Sequence, residues 1–383
     1  MKRRVSVLVP SLSRGGMTRA YTIAGALAHA GVDVEIVGAL PRGANIYPEP
    51  APGTTIHAVA ESPFARRVVA TARVATGDIL YAIKPRATSF GVALLCRRGR
   101  PVVVDIDDFE AGFASERRPR ASLPGRVRKT LRRVRNLDHP GYTRWMERWL
   151  GRADAITANT RFLAGRYGAT YLPSARDTTH FDPARFDSDQ CRRDLGLADF
   201  RVVMFPGTPR AHKGVEDAAA ALDRLGWPDA RLVLVGGREV GDDVVDDLVR
   251  RYPKWIVRLG KFGVADMPRV VAAAHVVVAP QRDTPVARAQ FPMKLTDAIA
   301  MAKPIVSTRV GDISEALDGA AWLVPPSSPE GIAEALVEIF ADPDEAARRG
   351  RAARRRCEER FSFPAAGRIL VEVIDRVSHA SPS

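Results

Sequence analysis

Two basic side chains, Arg210 and Lys213 in GTPRAHKG, follow the apolar run RVVMFPG and precede a helical pattern. A fixed pair of cations at the mouth of a helix suits a diphosphate, because it both binds the anion and stabilises it as it departs. An exposed basic loop would have the same sequence. Downstream, AQFPMKLTDAIAMAK puts Pro292 where a helix opens. Residues 289–292, Gln290 and Phe291 among them, are therefore expected to present backbone amides to an anion. Asp297, further along that helix, can accept hydrogen bonds from ribose hydroxyls, and Lys294 can pair with it or with phosphate. Taken alone, Asp297 is equally a solvated helix residue. Gly15 and Gly16, after the first apolar run, let backbone approach a ligand closely, or simply form a tight turn. In DIDDFE, the side chains Asp105, Asp107, Asp108 and Glu110 crowd together, with Asp105 and Asp107 on one face of a strand. Lys84 and Arg86 in AIKPRATSF follow another apolar run and are candidates for an acceptor phosphate, with a surface salt bridge as the alternative for each.

These residues need strands and helices to hold them. Short apolar runs alternate with helical patterns from end to end: Val5–Pro10, Val32–Leu40, Asp78–Ile83, Pro101–Ile106 and Asp154–Asn159. The pattern restarts at Arg201–Gly207 and continues through Ala230–Gly237, Trp255–Phe262, His275–Gln281, Pro304–Val310 and Ala320–Pro326. Continuous apolar strands separated by helices imply parallel sheets covered on both faces. Ligands of such sheets bind beyond the carboxyl ends of the strands, which is where the candidate residues fall. Two series of similar size imply two doubly wound domains: residues 1–178 and 200–360, with a polar linker over 179–199 and a final helix within 361–383 packing back toward the first domain.

Length and composition fit that division. The chain has 383 residues, 46% hydrophobic and 27% charged, the balance of a globular protein with two cores. Cys96, Cys191 and Cys357 have no metal-ligand or disulfide-frame spacing, as expected in a reducing compartment. The opening apolar stretch is cut by Pro10 and Arg14, too short for a signal peptide, and no run approaches a membrane span. A cytoplasmic location is expected. The formal net charge of +14 favours anionic partners. No zinc-finger, RRM or KH pattern is present, so nucleic acid is not an expected partner. The segment 111–137 concentrates arginine, with Leu123, Val127, Leu131 and Val134 at helical spacing. It is either a dock for acidic lipid headgroups at the inner membrane face or a solvated insertion.

The ordered set of Gly15-Gly16, Lys213-Gly214 and KLTDAIAMAKPIVST resembles the retaining glycosyltransferases of family 4, the glycosyl transferases group 1. DAITANTRFLAGRYG, ARDTTHFDP and the stretch from LVPPSSPEG to CEERFS are similar to the same family. The resemblance implies a GT-B fold: two Rossmann-like domains facing a central cleft, an acceptor-binding amino-terminal half and a nucleotide-sugar-binding carboxyl-terminal half. It implies that Gly15 and Gly16 lie near the diphosphate and sugar, that Lys213 binds the diphosphate, and that Asp297 holds the second, ribose-binding position of an E-x7-E motif. Backbone around Phe262 and Gly263 is placed at the base by its position after a strand. Asp297 is itself shorter than the usual glutamate, and the sequence departs from the pattern in three further places. Ala289 replaces the first glutamate, Thr208 stands where an arginine is usual with Arg210 as its substitute, and Asp107 takes a position often held by histidine.

GT-B enzymes generally need no metal, so DIDDFE is read as an acidic patch meeting the acceptor or the sugar. Asp107 is the acceptor-side polar or base residue, with Asp108 beside it. No cofactor is expected beyond the nucleotide-diphosphate sugar as donor. The expected activity is glycosyl transfer with retention to a hydroxyl acceptor: a glycan, glycolipid or polyprenyl-linked saccharide. The alternatives are a GT-B-like sugar-nucleotide epimerase and a non-catalytic sugar-nucleotide binder.

Overall fold

A computed structural model describes residues 3–13, 15–51, 53–109, 140–236 and 244–380. The expected basic insertion, and Glu110 with it, lies outside the described residues. The chain divides into two compact units, residues 1–173 with 363–383 and residues 174–362.

The first unit runs β1 (Arg4–Val9), α1 (Met17–His29), β2 (Asp33–Leu40), β3 (Ile56–Ala60), α2 (Phe64–Val74), β4 (Ile79–Ile83), α3 (Val92–Cys96), β5 (Val102–Ile106), α4 (Pro140–Glu147), β6 (Ala155–Ala158), α5 (Arg161–Tyr167) and β7 (Thr170–Tyr171). Its sheet is parallel, in the order β3-β2-β1-β4-β5-β6-β7. The central strands are buried on both faces, as their unbroken apolar sequences require. The sequence gives no clear sign of β3 or β7. β3 alternates exposed and buried side chains at an edge, and β7 is two residues long.

The second unit holds α6 (Ser188–Asp194), β8 (Arg201–Pro206), α7 (Val215–Leu225), β9 (Ala230–Val235), α8 (Val244–Arg251), β10 (Ile256–Leu259), α9 (Met267–Ala272), β11 (Val276–Ala279), α10 (Pro285–Arg288), α11 (Met293–Ala300), β12 (Ile305–Thr308), α12 (Ile313–Leu317), β13 (Trp322–Val324), α13 (Pro329–Ala341) and α14 (Pro343–Arg360). Its sheet order is β10-β9-β8-β11-β12-β13, again parallel. Alternation along the strands divides the core in two. Val202, Met204, Val277 and Ala279 enter the cluster on one face, and Val203, Phe205, Val276 and Val278 the cluster on the other. Each valine, methionine or phenylalanine among them, fully buried, contributes about 1.5–3 kcal/mol of transfer free energy.

One boundary differs from expectation. The polar stretch 179–199 is not a connector but part of the second unit, where Phe181, Cys191 and Leu197 are buried in its core and α6 packs against α9. Its charges lie on the exposed side of short helical turns, which hid the apolar minority. The last helix, α15 (Phe363–Ala380), belongs to the first unit and packs along α1. The fit is close: a Cβ on Gly25 of α1 would stand 2.4 Å from the ring of Phe363. Among the described residues no helix is long and apolar enough to cross a membrane.

Candidate functional site

In each sheet the chain leaves one central strand in opposite directions, and a crevice opens between the loops at that switch point. In the second unit the switch lies between β8 and β11. β8 delivers Gly207 and Thr208, then a short 3-10 turn, Ala211–Lys213, and Gly214 in the left-handed region with φ 61°. A side chain at Gly214 has no room: a Cβ would fall 1.9 Å from the Pro280 carbonyl oxygen after β11. The turn is thereby pressed against the neighbouring strand end, and Lys213 is held with its Nζ donating to the Thr208 carbonyl at 2.9 Å.

The positive charges converge here. The His212 imidazole is pushed down to about 4, first by burial and then by Lys213, Arg210 and Lys294, with a hydrogen bond to Gln290 acting in the opposite sense. His212 is therefore neutral near pH 7, set among three basic side chains. Lys294, in the first turn of α11, is 5% exposed. Its Nζ sits 3.4 Å from the centroid of the Phe205 ring and finds no hydrogen-bond partner among the described residues. Burial and the charge of Lys213 hold this amine well below the ordinary lysine value. Gln281, after β11, is fully buried, and neither atom of its amide finds a partner among the described residues. Unsatisfied buried polar groups are costly and rare, and they concentrate where a ligand completes them.

Other expectations in this unit need correction. Lys294 does not pair with Asp297. That carboxylate is buried and accepts from Nε of Arg176, a residue 121 positions away that local sequence gave no reason to suspect. Burial raises the Asp297 carboxyl above its usual range, against the opposing pull of Arg176. The amides of Ala289 and Gln290 are not available either. They donate to the Pro285 and Ala287 carbonyls, closing α10, whose Thr284 side chain caps Ala287 N with Pro285 in the first turn. Thr-Pro is a helix-start signal that could have been read from the sequence. Pro292 is the cap of α11 rather than a residue inside it, so the open amides belong to its first turn, beginning at Met293. Phe291 stacks on Phe361 with ring centroids 5.2 Å apart and is a core residue. Ala289 is fully buried. Phe262 packs on the core beyond the end of β10, and Gly263 follows it.

In the first unit the switch lies between β1 and β4. Gly16 caps α1 with φ 113°, a conformation open to glycine. A Cβ there would come within 3.9 Å of Lys84 Cε, after β4, whereas Gly15 faces open space. Lys84 itself has φ 67° and is 4% exposed, with its amine on Asp107 at 3.1 Å and on Asp108 as well. The expected acidic patch and the expected phosphate-binding lysine thus satisfy each other. Burial pushes the Asp107 carboxyl up to about 6, Lys84 pulls against that, and Asp108 and Asp105 add to it. Asp105, although on the same strand face, turns inward to a buried two-point bond with Arg19 at 2.8 Å and accepts from Thr157. Arg86 is partly buried after β4. Among the described residues no group of three or more His, Cys, Asp or Glu is placed to hold a metal ion.

The loops after β8, β10 and β11 and the start of α11 all lie within residues 200–342, which match the family model described as glycosyl transferases group 1. This region belongs to the group 1 glycosyl transferases. The α-maltose-1-phosphate synthase of Mycolicibacterium smegmatis is 30% identical over 262 residues, 61% of this chain and 66% of that protein. The chain thus spans less than two thirds of the length of that curated relative. Among solved structures, the sucrose-phosphate synthase of Thermosynechococcus elongatus superposes with a TM-score of 0.74 at 19% identity, covering 99% of this chain and 100% of that one. Anabaena HepE, in complex with UDP and glucose, gives a TM-score of 0.72 at 18% identity over 97% and 99%. At such identities these structures establish the GT-B fold, and the group 1 glycosyl transferase region lies within the second unit.

Proposed function

We propose that this chain is a glycosyltransferase that moves a sugar from a nucleotide-diphosphate donor to a hydroxyl acceptor, with retention at the anomeric carbon. The observation that carries the proposal is the convergence of Arg210, Lys213 and Lys294 on the carboxyl end of β8, inside the group 1 glycosyl transferase region. A departing diphosphate develops charge on its oxygens, and preorganised cations at that point lower the barrier. The names of similar proteins support the class: a maltose-1-phosphate synthase, a sucrose-phosphate synthase and a protein solved with UDP and glucose. Retention rests on the resemblance in motif order.

With alanine at 289 the sugar needs other contacts, and the buried amide of Gln281 and the open first turn of α11 are the candidates in this unit. A saccharide or lipid-linked acceptor is assigned to the first unit, where Asp107 is the candidate base. Burial that raises its carboxyl to about 6, against the pull of Lys84, supports a carboxylate poised between its two protonation states. The cationic donor site supports work without a metal, and the three free, buried cysteines fit the proposed cytoplasmic location.

An anionic membrane surface remains the proposed peripheral partner. Exposed Trp145 and Trp149 lie with ring centroids 5.5 Å apart and planes tilted by 56°, with Arg152 over the second ring, a combination of aromatic and basic groups suited to a headgroup layer.

The test is donor turnover by Lys213→Ala. Transfer or donor hydrolysis is expected to fall about 100-fold or more, the effect of removing one preorganised charge stabiliser. Near-normal turnover would sink the assignment.

A further inference from the structure

The Lys294 amine has an unusual position for a long basic side chain. It is buried, it rests on the Phe205 ring, its Cδ lies next to Gly207, and it has no acceptor among the described residues. A permanently charged ammonium in such a place would be expensive, whereas an amine that becomes charged only when an anion arrives would not. We propose that Lys294 is a third phosphate ligand of the donor site and that a nucleoside diphosphate, on binding there, loads a proton from solvent onto the Lys294 amine. This rests on the proposed donor site.

The charged groups around the amine support a proton-coupled role. Lys213 disfavours its charge, and His212 and Arg210 stand on the same loop. Among the described residues of the other packed elements, β11 brings no titratable side chain. Arg269 of α9 reaches Asp194, and Arg354 of α14 donates to the Thr178, Phe181 and Ala300 carbonyls. Asp297 on the same helix is given to Arg176. The empty site thus lowers the affinity of Lys294 for a proton. An incoming diphosphate, bearing two or more negative charges, reverses that balance: the amine gains one proton and one positive charge, and the phosphate oxygens gain a donor. The sign follows. Affinity falls as pH rises through the value the amine has in the complex, and no proton is taken up below its value in the empty site.

The experiment is titration calorimetry at pH 8 in two buffers of different ionisation enthalpy, with inorganic pyrophosphate, UDP, GDP, ADP and dTDP as probes and uridine as the phosphate-free control. At this pH the nucleoside diphosphates are fully ionised and His212, pushed down to about 4, is neutral, so neither contributes protons, whereas inorganic pyrophosphate still holds a proton and is read for affinity alone. The wild-type chain is expected to take up a substantial fraction of one proton per nucleoside diphosphate bound and none with uridine. Lys294→Met, which keeps the length of the side chain, is expected to bind at least ten-fold more weakly with no uptake, while melting at the wild-type temperature or above. Diphosphate binding without uptake by the wild type, or equal binding by Lys294→Met, overturns the inference and leaves the donor site standing. Failure of every diphosphate to bind the wild type overturns the donor site itself.

Discussion

The ion pair between Arg176 and Asp297 makes the sharpest prediction, because it separates a ribose ligand from a buried tie within the second unit. Both side chains are nearly inaccessible, and Arg176 also lies over the Phe181 ring, 5.3 Å from its centroid. Replacing Arg176 by Met keeps most of the stem but leaves Asp297 with an uncompensated buried charge. Breaking such a pair from one side costs about 3–5 kcal/mol. In a unit of this size, about 2–4 °C is lost per kcal/mol, so the melting temperature is expected to drop by about 6–20 °C. The loss depends on pH. Burial already holds the Asp297 carboxyl above its ordinary value, and without Arg176 it moves higher still. A carboxyl raised in the folded state favours folding in acid, and that advantage disappears as pH rises through its folded value. The deficit of Arg176→Met is therefore expected to widen from pH 5 to pH 8. The double variant Arg176→Met with Asp297→Leu removes both charges and is expected to recover most of the loss. Calorimetric melting across pH, alongside binding of UDP and of pyrophosphate, makes the check. Suppose Arg176→Met melts like wild type, and Asp297→Asn weakens UDP but not pyrophosphate at unchanged stability. Asp297 is then a ribose ligand, and the reasoning from burial is wrong.

Gly214→Ala combines a left-handed backbone with a Cβ placed 1.9 Å from the Pro280 oxygen, so the turn carrying Lys213 must move. Diphosphate affinity, read by calorimetry, is expected to fall at least ten-fold, and unchanged affinity refutes the account of the turn. Asp107→Asn removes a carboxyl that burial pushes up to about 6. That group stabilises the fold at low pH and ceases to do so as pH rises through about 6, so the variant's melting temperature should vary less between pH 4 and 7 than the wild type's. Trp145→Ala with Trp149→Ala is expected to weaken sedimentation with vesicles rich in anionic lipid while leaving the melting temperature within a few degrees. Equal sedimentation would remove the aromatic pair from the membrane contact.

The two-sheet fold was legible because nearly every central strand is a run of four to six buried residues bounded by glycine, proline or a charge. What escaped was short or two-natured: β7 with two residues, the alternating β3, and the stretch 179–199, in which Phe181, Cys191 and Leu197 are outnumbered by charges. The cationic loop after β8 was legible for a related reason. Position after a strand is a local property, and Arg210 and Lys213 flank His212 on a single turn. The partners of the acidic candidates were not local. Asp297 is taken by Arg176, Asp105 by Arg19, and Asp107 with Asp108 by Lys84. Such pairings depend on where loops from separate strands arrive, and spacing along the chain does not encode them.

The place of α15 bears on the order in which the protein is made. Residues 174–362 form one uninterrupted stretch, so every strand of that sheet has been synthesised before Phe363 is added. The first unit is split: its sheet is complete in sequence by Tyr171, yet the face of α1 that receives Phe363 at Gly25 has no cover until α15 emerges. The half of the chain that leaves the ribosome first therefore finishes last. Through the whole synthesis of its partner it carries an uncovered apolar helix face, the kind of transient surface that chaperones recognise and that aggregation exploits.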